Sequence, residues 1–541
     1  MIKQIYTWLD ENVLELGREF RISYLPPLMV YLAAGISGLT NIVGTFFVKD
    51  YLGLSAEFLA ALGFWAGIPW ALKMPLGHIV DLIWRYKFVM VYLGAALIAA
   101  SLLIMIALLT HTEAMHRILP IDIWYVISTL LAPVGYVVQD VVADAMTVEA
   151  VPRVDEQGRP IDPATLRLMH TTMQTLGRVA IVTGGILVAL LNVFMFNGVE
   201  AMSPEQTVAV YVEIYELALL IPVVSVLGVI LGGVLKWRRV RALLRSGMAR
   251  ARAWLLVSGQ SETPRPNWWI LGGSLVFVVF TVSMGLTEVP YNQEIIFAGS
   301  MAIVVFLMSR LVSTLEVNAR RTLVGTAIII FAFRAAPTTG AGSSWWMIDD
   351  LGFDQHFLSI LSLIGSSLAL IGMFIFRRFM AERSIAYVVG FLTVVGTVLM
   401  LPNIGMYYGL HHWTAAVTGG IVDAHFIALV DTALESPLGQ IAMIPMLAWI
   451  ANSAPANLKA TFFAVMASFT NLALSLSQLL TKYINAIFVV TREVRDPITG
   501  VVTVPADYSE LGYLLITVSV VGFALPIGAI LLVRWLGLRS A

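Results

Sequence analysis

Cysteine is absent from the 541 residues, which excludes disulfides, thiolate metal sites and thiol catalysis. Charge is scarce as well: Asp, Glu, Lys and Arg make up 12% of the chain, whereas soluble domains average about 25%. The net charge of −1 gives no reason to expect a nucleic-acid partner. The sequence has no phosphate-binding loop with a Lys-Ser/Thr pair and no His cluster with metal-ligand spacing. We therefore expect neither enzymatic activity nor a cofactor.

Apolar residues are abundant instead, at 59% of the chain with a mean hydropathy of +0.85. A helix needs about 20 apolar residues to cross a bilayer, and the sequence predicts an all-α integral membrane protein with fourteen such spans. The predicted spans are 25–47, 56–80, 88–109, 121–146, 168–196, 211–235, 268–288, 294–314, 322–342, 357–376, 384–403, 433–452, 462–487 and 511–535.

The distribution of Lys and Arg indicates the orientation of these spans. Bases cluster before span one, after every even-numbered span and at the end of the chain, and they are densest in 236–267. Because basic loops stay in the cytoplasm, we expect both termini to lie there. The expected membrane is the inner or plasma membrane. A twelve-span alternative requires 268–314 to be one re-entrant pair. Residues 1–24 are predicted to form an amphipathic segment at the membrane surface.

An internal repeat divides the chain. KDYLGLSAEFLAAL, from Lys49, matches IDDLGFDQHFLSIL, from Ile348, without gaps, and each stretch joins two predicted spans at the same point of the topology. Chance similarity is the alternative, and the matched position disfavours it. The repeat predicts two six-helix halves, 25–235 and 322–541, with two inserted helices in 268–321. This is the major facilitator fold, in which substrate binds between halves that rock against each other.

The segment GIPWALKMPLGHIVDLIWRYK ends predicted span two. It matches a degenerate loop signature of the major facilitator fold, a Gly, then an Asp and then bases. Asp81 and Arg85 are predicted to act as a cytoplasmic latch, in which the acid accepts hydrogen bonds from a facing helix N-terminus. Gly77 is expected to let two helices approach closely. The alternative is ordinary positive-inside loop charge.

Charged residues inside the predicted spans need partners, because they are costly in a membrane. Lys73 lies within span two, and Asp140 and Asp144 share one face of span four because they are four residues apart. These three residues are predicted to form a proton-coupling site or a gate; a static ion pair is the alternative. Glu149 belongs to the same group, and a solvated acid beside Arg153 is its alternative.

Five segments in this order resemble the folate–biopterin transporter family, a branch of the major facilitator superfamily. The segments are FVKDYLGLSAEF, IPWALKMPLGHIVD, VVQDVVADAMTVE, FRAAPTTG with DDLGF, and GIVDAHF followed by IPMLAWIANSAPANLKATFFAVMASFTN. The resemblance implies proton-driven uptake of folates or pterins.

Arg334 is predicted to anchor a substrate anion, because its guanidinium can form two hydrogen bonds with a carboxylate. Pro337 follows three residues later and breaks the helix there. An interhelical pair with a buried acid is the alternative. Six further residues are predicted to contact substrate, with interhelical hydrogen bonding or packing as the alternative for each: Asn41, Trp70, Gln174, Arg178, Asn471 and Gln478.

Three hypotheses for the function follow. The first is a proton-coupled folate or pterin symporter, the second a transporter of another organic anion. The third is a membrane assembly factor that transports nothing, which the costly intramembrane charges disfavour. The expected partners are a small-molecule substrate, protons and membrane lipids; the basic segment after span six is expected to attract anionic lipid.

Overall fold

The computed structural model describes most of the chain. The described residues are 15–18, 20–51, 54–71, 73–152, 161–258, 266, 268–285, 289–313, 316–376, 379, 383–439, 459–495 and 502–540. Most of the predicted N-terminal amphipathic segment and most of predicted span 433–452 lie outside these residues.

Nearly all described elements are helices. The helices that precede the predicted insertion are α1 (Leu25–Ile36), α2 (Asn41–Tyr51), α3 (Ala56–Ala71), α4 (Lys73–Leu82), α5 (Phe88–Thr110), α6 (Thr112–Ile118), α7 (Ile121–Ala150), α8 (Pro163–Met195), α9 (Pro204–Ala218), α10 (Leu220–Arg245) and α11 (Arg250–Ser258). We call α1 to α10 the first helix set. Helix α10 continues ten residues past the predicted end of span six, so much of the predicted basic connection is helical.

The inserted pair is α12 (Trp268–Gly285) and α13 (Asn292–Val312). The helices that follow, which we call the second helix set, are α14 (Val317–Arg334), α15 (Ala341–Asp349), α16 (Gln355–Ile375), α17 (Ile385–Leu399), α18 (Leu401–Tyr407), α19 (Leu410–Thr418), α20 (Ala424–Glu435), α21 (Lys459–Ile487) and α22 (Leu511–Trp535). A small antiparallel hairpin joins the last two, with β1 at Val494–Arg495 and β2 at Val502–Val504.

The repeat seen in the sequence is also present in the local structure. Ser55 Oγ accepts a hydrogen bond from the Phe58 backbone N–H at 3.1 Å, before α3. At the matching position, Asp354 Oδ1 accepts from the Phe357 N–H at 2.7 Å, before α16. Each side chain satisfies an amide at a helix start that has no partner within the helix. The same capping chemistry therefore begins the second helix after each repeat.

The first predicted span of each helix set is interrupted. A 3-10 segment, Ser37–Thr40, separates α1 from α2. The irregular residues 335–340 separate α14 from α15, which corrects the single span predicted over 322–342. Irregular backbone at membrane depth is stable only where protein or water satisfies its polar groups. Both breaks therefore have to face a polar environment inside the bundle.

Each helix set has its own apolar core, and the sets meet along two seams. One large cluster of buried residues lies within the first set around Phe46, Leu102 and Ile214. Another lies within the second set around Phe353, Leu511 and Leu514. Helix α3 packs on α21 and α8 packs on α16, so these helix pairs form the seams.

The inserted pair lies across the seam between α3 and α21. Phe277 of α12 and Ile296 of α13 are buried together with Phe64 of α3 and Leu479 of α21. Gln293 Nε2 donates to the Ala61 carbonyl oxygen at 3.3 Å, which ties α13 to the first set as well. The pair thus contacts both helix sets rather than a single half.

In the described part of the chain, ten helices are long and apolar enough to cross a membrane. They coincide with ten of the fourteen predicted spans. Of the other four, predicted span seven contains a shorter apolar helix, Leu271–Thr281. Span nine is the broken α14–α15 segment, span twelve lies mostly outside the described residues, and span thirteen corresponds to α21, which carries polar residues.

Candidate functional site

A charge cluster joins α4 to α7. Lys73 Nζ lies 2.6 Å from Asp140 Oδ2 and 2.8 Å from Asp144 Oδ2, so one ammonium group bridges both carboxylates. Tyr31 of α1 donates a hydrogen bond through its hydroxyl to Asp144 Oδ1 at 2.7 Å. The pairing of Lys73 with both acids is the one predicted from the sequence; Tyr31 was not predicted. We call Tyr31, Lys73, Asp140 and Asp144 the charge cluster.

The cluster is shielded from solvent to different degrees. The side chains of Lys73 and Asp140 are 17% and 18% exposed, whereas that of Asp144 is 40% exposed. Removing charges from water is unfavourable unless they are paired and hydrogen bonded. Asp140 depends on Lys73 for its pairing, whereas Asp144 has a second partner in Tyr31 and better access to water. The two acids are therefore not equivalent.

Two arginines act on this region from opposite helix sets. Arg178 of α8 lies close enough to Asp140 and Tyr31 for its charge to influence both. It also interacts electrostatically with Arg334, at the end of α14. Two like charges held near each other across the interface between the sets attract an anion to the space between them. Arg334 is therefore one of two cations that act on each other across this interface.

A cavity of about 550 Å³ opens between the two breaks. Its wall includes hydroxyl groups and aromatic rings, and none of the described residues that line it is charged. The polar and aromatic lining residues are Ser37, Thr40, Asn41, Thr45, Ser101, Tyr125, Ser128, Thr129, Tyr136, Tyr215, Ser344 and Trp345. We call this space the aromatic cavity. Its lining favours a planar, polar, uncharged group, because rings stack on it and hydroxyls donate and accept hydrogen bonds.

The aromatic cavity and the charge cluster occupy the same face of α7. Tyr125, Thr129 and Tyr136 line the cavity, and Asp140 and Asp144 continue the series at spacings of three to four residues along the helix. Since an α-helix rises 1.5 Å per residue, Asp140 lies about 6 Å along the axis from Tyr136. One helix therefore connects the uncharged cavity directly to the charged group.

The sequence interpretation included Asn41 of this cavity but missed its tyrosines. The available signal was the helical spacing that leads from Tyr125 through Tyr136 to Asp140, which places them on one face. The partners contributed by other helices, Tyr215 and Trp345, have no such signal. They reach the cavity only through the packing of α9 against α5 and of α15 against α3.

Helix α21 satisfies the backbone of the second break. Ser477 Oγ donates to the Ala336 carbonyl oxygen at 2.6 Å, and Thr481 Oγ1 accepts from the Thr338 N–H at 2.9 Å. Asn485 lies one turn further along the same helix and contacts Gly340, whose φ of 72° suits glycine. Three polar residues spaced by four thus hold the break that leads from Arg334 to the cavity.

Three of the predicted substrate residues lie at the seam rather than in the aromatic cavity. Asn471 Nδ2 donates to the Trp70 carbonyl oxygen at 3.2 Å. Gln478 packs against Gly63, where an added Cβ would come within 2.8 Å of Gln478 Oε1. None of the three is among the residues that line the cavity. Asn471 thus makes an interhelical hydrogen bond, its alternative interpretation, and Gln478 packs across the seam; their contact with substrate stays a prediction.

Among the described residues, the structure does not show the close helix approach at Gly77 or an ion pair of Arg85 that would form the predicted latch. Gly77 makes no close helix contact among the described residues, because a Cβ there would meet no heavy atom within 4 Å. Arg85 is exposed, with its guanidinium 5.8 Å from the Tyr86 ring, and it forms no ion pair within the described part of the chain. The side chains of Asp81 and Gln174 lie outside the described residues.

Glu149 is not the solvated acid that was its alternative interpretation. Its Oε1 lies 2.8 Å from Lys87 Nζ and 3.2 Å from Lys236 Nζ, and its side chain is 18% exposed. The ion pairs join the ends of α5, α7 and α10. We call this end of the bundle the Glu149 end. Arg153, the partner considered from the sequence, lies outside the described residues.

The opposite end, which we call the Arg492 end, contains a contact between the helix sets. Arg492 lies between predicted spans thirteen and fourteen, yet it is only 3% exposed. Its Nη1 donates to the Leu54 carbonyl oxygen at 2.8 Å, and its guanidinium stacks 4.6 Å from the Trp345 ring. Nearby, Gln355 Nε2 donates to the Tyr211 hydroxyl at 2.8 Å. Residues from both sets therefore close this end.

Solved structures of transporters share this arrangement along nearly the whole chain. A peptide transporter POT in complex with alafosfalin matches with a TM-score of 0.56, covering 95% of this chain and 94% of its own at 14% identity. The nucleoside transporter NupG matches with a TM-score of 0.50, covering 94% and 99% at 12% identity. These similarities confirm the all-helical major facilitator fold. With the apolar helices, they define a multi-pass membrane protein of this fold.

The sequence comparisons identify the family. The model of the BT1 family matches residues 34–536, so the chain belongs to this family. The folate-biopterin transporter of Synechocystis sp. is 22% identical over 478 residues, which cover 86% of this chain and 75% of that protein. The resemblance found in the sequence motifs is thereby confirmed. The family and its relatives are transporters, not enzymes.

Proposed function

We propose that this chain is a secondary active transporter that takes up folate- or pterin-type compounds together with protons. Residues 25–235 and 322–541 form the two halves that rock in alternating access, with fourteen spans in all. Both termini lie in the cytoplasm, and the Glu149 end faces it. The density of bases at this end supports the orientation.

The observation that carries the proposal is the continuous face of α7. It presents Tyr125 and Tyr136 to the aromatic cavity and Asp140 to Lys73 one turn later. A substrate that fills the cavity lies within about two helical turns of a protonatable group. Binding and protonation then act on the same helix, which is what coupled transport requires.

The chemistry of the cavity supports a pterin ring. A pterin is planar and carries several donors and acceptors, so it can stack on Tyr136 or Trp345 while hydroxyls bind its edges. The glutamate tail of folate carries carboxylates, which Arg334 and Arg178 are suited to bind as charge-assisted pairs. The name of the Synechocystis relative, a folate-biopterin transporter, is in line with this substrate class.

The charge cluster supplies a mechanism for proton coupling. Lys73 bridges two carboxylates, so a proton on one of them leaves Lys73 paired with the other. Neutralising Asp140 weakens the attraction between α4 and α7, which the Lys73–Asp144 pair then maintains alone. Asp81 and Arg85 act as a latch, and Glu149 as a gate that holds the helix ends together, when the Glu149 end is closed.

A transporter of another organic anion is the second candidate. The paired arginines favour it, because Arg178 and Arg334 select for negative charge without recognising a ring. The uncharged aromatic cavity favours the folate or pterin interpretation. An assembly factor that transports nothing has no use for either feature.

Uptake of radiolabelled folate into proteoliposomes tests the proposal. We expect accumulation with an inward proton gradient, little without it, and loss of accumulation in Arg334→Ala. Arg383→Ala is the matched control, because Arg383 is exposed and stacks on Tyr387. Uptake of another anion but not folate would select the second candidate. A transport function would be contradicted if the folded protein is not stabilised by any tested anion and takes none of them up.

A further inference from the structure

A second space lies at the Glu149 end, apart from the aromatic cavity. It has a volume of about 520 Å³ and is enclosed by α1, α5, α7, α10 and α11, all before the insertion. It lies away from the seams, so substrate that moves between the two helix sets does not pass through it. We call it the basic crevice.

Positive charge predominates in the basic crevice. Among the described residues, four bases line it, Arg85, Lys87, Lys236 and Arg239, against one acid, Glu149. Glu149 is shared by two of the bases, at 2.8 Å and 3.2 Å. Arg21 adds a further positive charge, which acts on Arg239. The described lining therefore carries more positive than negative charge, which attracts an anion.

Apolar residues form the remaining wall of the crevice and continue onto the outside of the bundle. Phe88, Tyr92 and Ile230 line the crevice and are 41%, 40% and 48% exposed. Gly233 lies beside them, and an added Cβ there would meet no heavy atom of the described residues within 4 Å. A phosphate alone leaves this apolar groove uncovered, whereas an acyl chain covers it.

Tryptophans surround the bases. Lys87 Nζ lies 3.8 Å from the Trp84 ring, and Lys236 Nζ lies 6.0 Å from the Trp254 ring. Tryptophan rings and long basic side chains together mark the depth of lipid headgroups. The crevice therefore opens at the membrane–water boundary, with its bases towards the water and its apolar wall towards the lipid chains.

We propose that the basic crevice binds one anionic glycerophospholipid. Its phosphate lies between Lys236, Arg239 and Arg85, and one acyl chain follows Phe88, Tyr92 and Ile230. The phosphate then competes with Glu149 for Lys236, whose contact with that acid is the longer of the two. Occupancy thus changes the ion pairs at the end of α7, the helix that carries the charge cluster.

Native mass spectrometry of the purified full chain tests this site. The protein is exposed to limiting phosphatidylglycerol in a phosphatidylcholine background, and retained lipids are counted. We expect one phosphatidylglycerol per chain, with affinity lowered about 30-fold in the double variant Lys236→Gln/Arg239→Gln. Arg238→Gln/Arg241→Gln is the matched control, because it removes two charges from the same helix but does not alter the crevice lining; its affinity stays unchanged.

Three outcomes would overturn the proposal. Equal losses in both double variants would show diffuse attraction to the basic helix. Equal retention of phosphatidylcholine would show that charge does not select the lipid. Displacement of the lipid by free glycerol phosphate at the same concentration would show a phosphate site without an acyl-chain site. If the Lys236/Arg239 variant does not fold, Gly233→Leu fills the apolar wall without changing charge and must lower retention.

Discussion

Lys482 of α21 places its Nζ 3.4 Å from Glu294 Oε1 of α13, and thereby joins the inserted pair to the second helix set. The hydroxyl of the neighbouring Tyr483 donates a hydrogen bond to the same carboxylate oxygen. The preceding residue of α13, Gln293, donates a hydrogen bond to α3 of the first set. The insertion therefore links the two helix sets, which the proposed alternating access requires to move relative to each other.

Glu294→Gln tests the strength of this link. We expect the free energy of unfolding to fall by about 1 to 2 kcal/mol, because a partly buried ammonium loses its charged partner. Thermal unfolding of the purified protein measures the change. Lys482→Met in the Glu294→Gln background should restore part of the stability; additive losses in the double variant would show that the pair does not interact.

Asp140→Asn tests the coupling role of the charge cluster. The variant keeps the Lys73–Asp144 pair and the Tyr31 hydrogen bond, so we expect it to fold. Gradient-driven accumulation should be lost, while exchange of labelled for unlabelled substrate across the membrane persists. Both are measured in proteoliposomes. Unchanged accumulation would remove Asp140 from the coupling mechanism, and loss of both activities would make its role structural.

Tyr136→Leu tests the aromatic cavity. An aromatic contact contributes about 0.5 to 1.5 kcal/mol beyond the area that it buries, so we expect KM for folate to rise about threefold to tenfold. Trp70→Phe is the control, because Trp70 does not line the cavity. A larger effect of Trp70→Phe than of Tyr136→Leu would place the substrate at the α3–α21 seam instead.

Thr481→Val tests the support of the second break. The shape of the side chain is conserved, but the Thr338 N–H loses its acceptor, so we expect a loss of about 1 to 3 kcal/mol in unfolding free energy. Ser475→Ala on the same helix is the control. The Ser475 hydroxyl is buried without a hydrogen-bond partner among the described residues, so its removal should leave the melting temperature unchanged or raised.

The absence of cysteine allows a direct test of the fourteen-span topology. Single cysteines at Val289, Glu205 and Arg245 can be labelled without background from native thiols. We expect an impermeant maleimide to label Val289→Cys and Glu205→Cys in intact cells. Arg245→Cys should react only after the membrane is opened. Protection of Val289→Cys in intact cells would favour the re-entrant alternative for 268–314.

Much of the fold was predictable because its causes are local. Runs of about 20 apolar residues fix helices that cross a membrane, and the repeat at Lys49 and Ile348 fixes the twofold plan. The pairing of Lys73 with Asp140 and Asp144 was predictable for a related reason. Charges at membrane depth have few possible partners, and the spacing of the two acids places them on one face of a helix.

Other features depended on which helix faces meet, and the sequence alone does not contain this information. Arg492 looked like a loop residue until the Leu54 carbonyl and the Trp345 ring were found beside it. Glu149 was predicted to belong with the intramembrane charges, but only the packing of α5 and α10 identifies Lys87 and Lys236 as its partners.

The sequence by itself therefore determined the class of the protein, its family and its intramembrane charges, because hydropathy, spacing and motif order act within short segments. Tertiary structure decided which rings enclose the aromatic cavity, where the inserted pair lies and which bases form the crevice. Each of these depends on contacts between residues far apart in the chain, and those contacts are set by the rotation and tilt of packed helices.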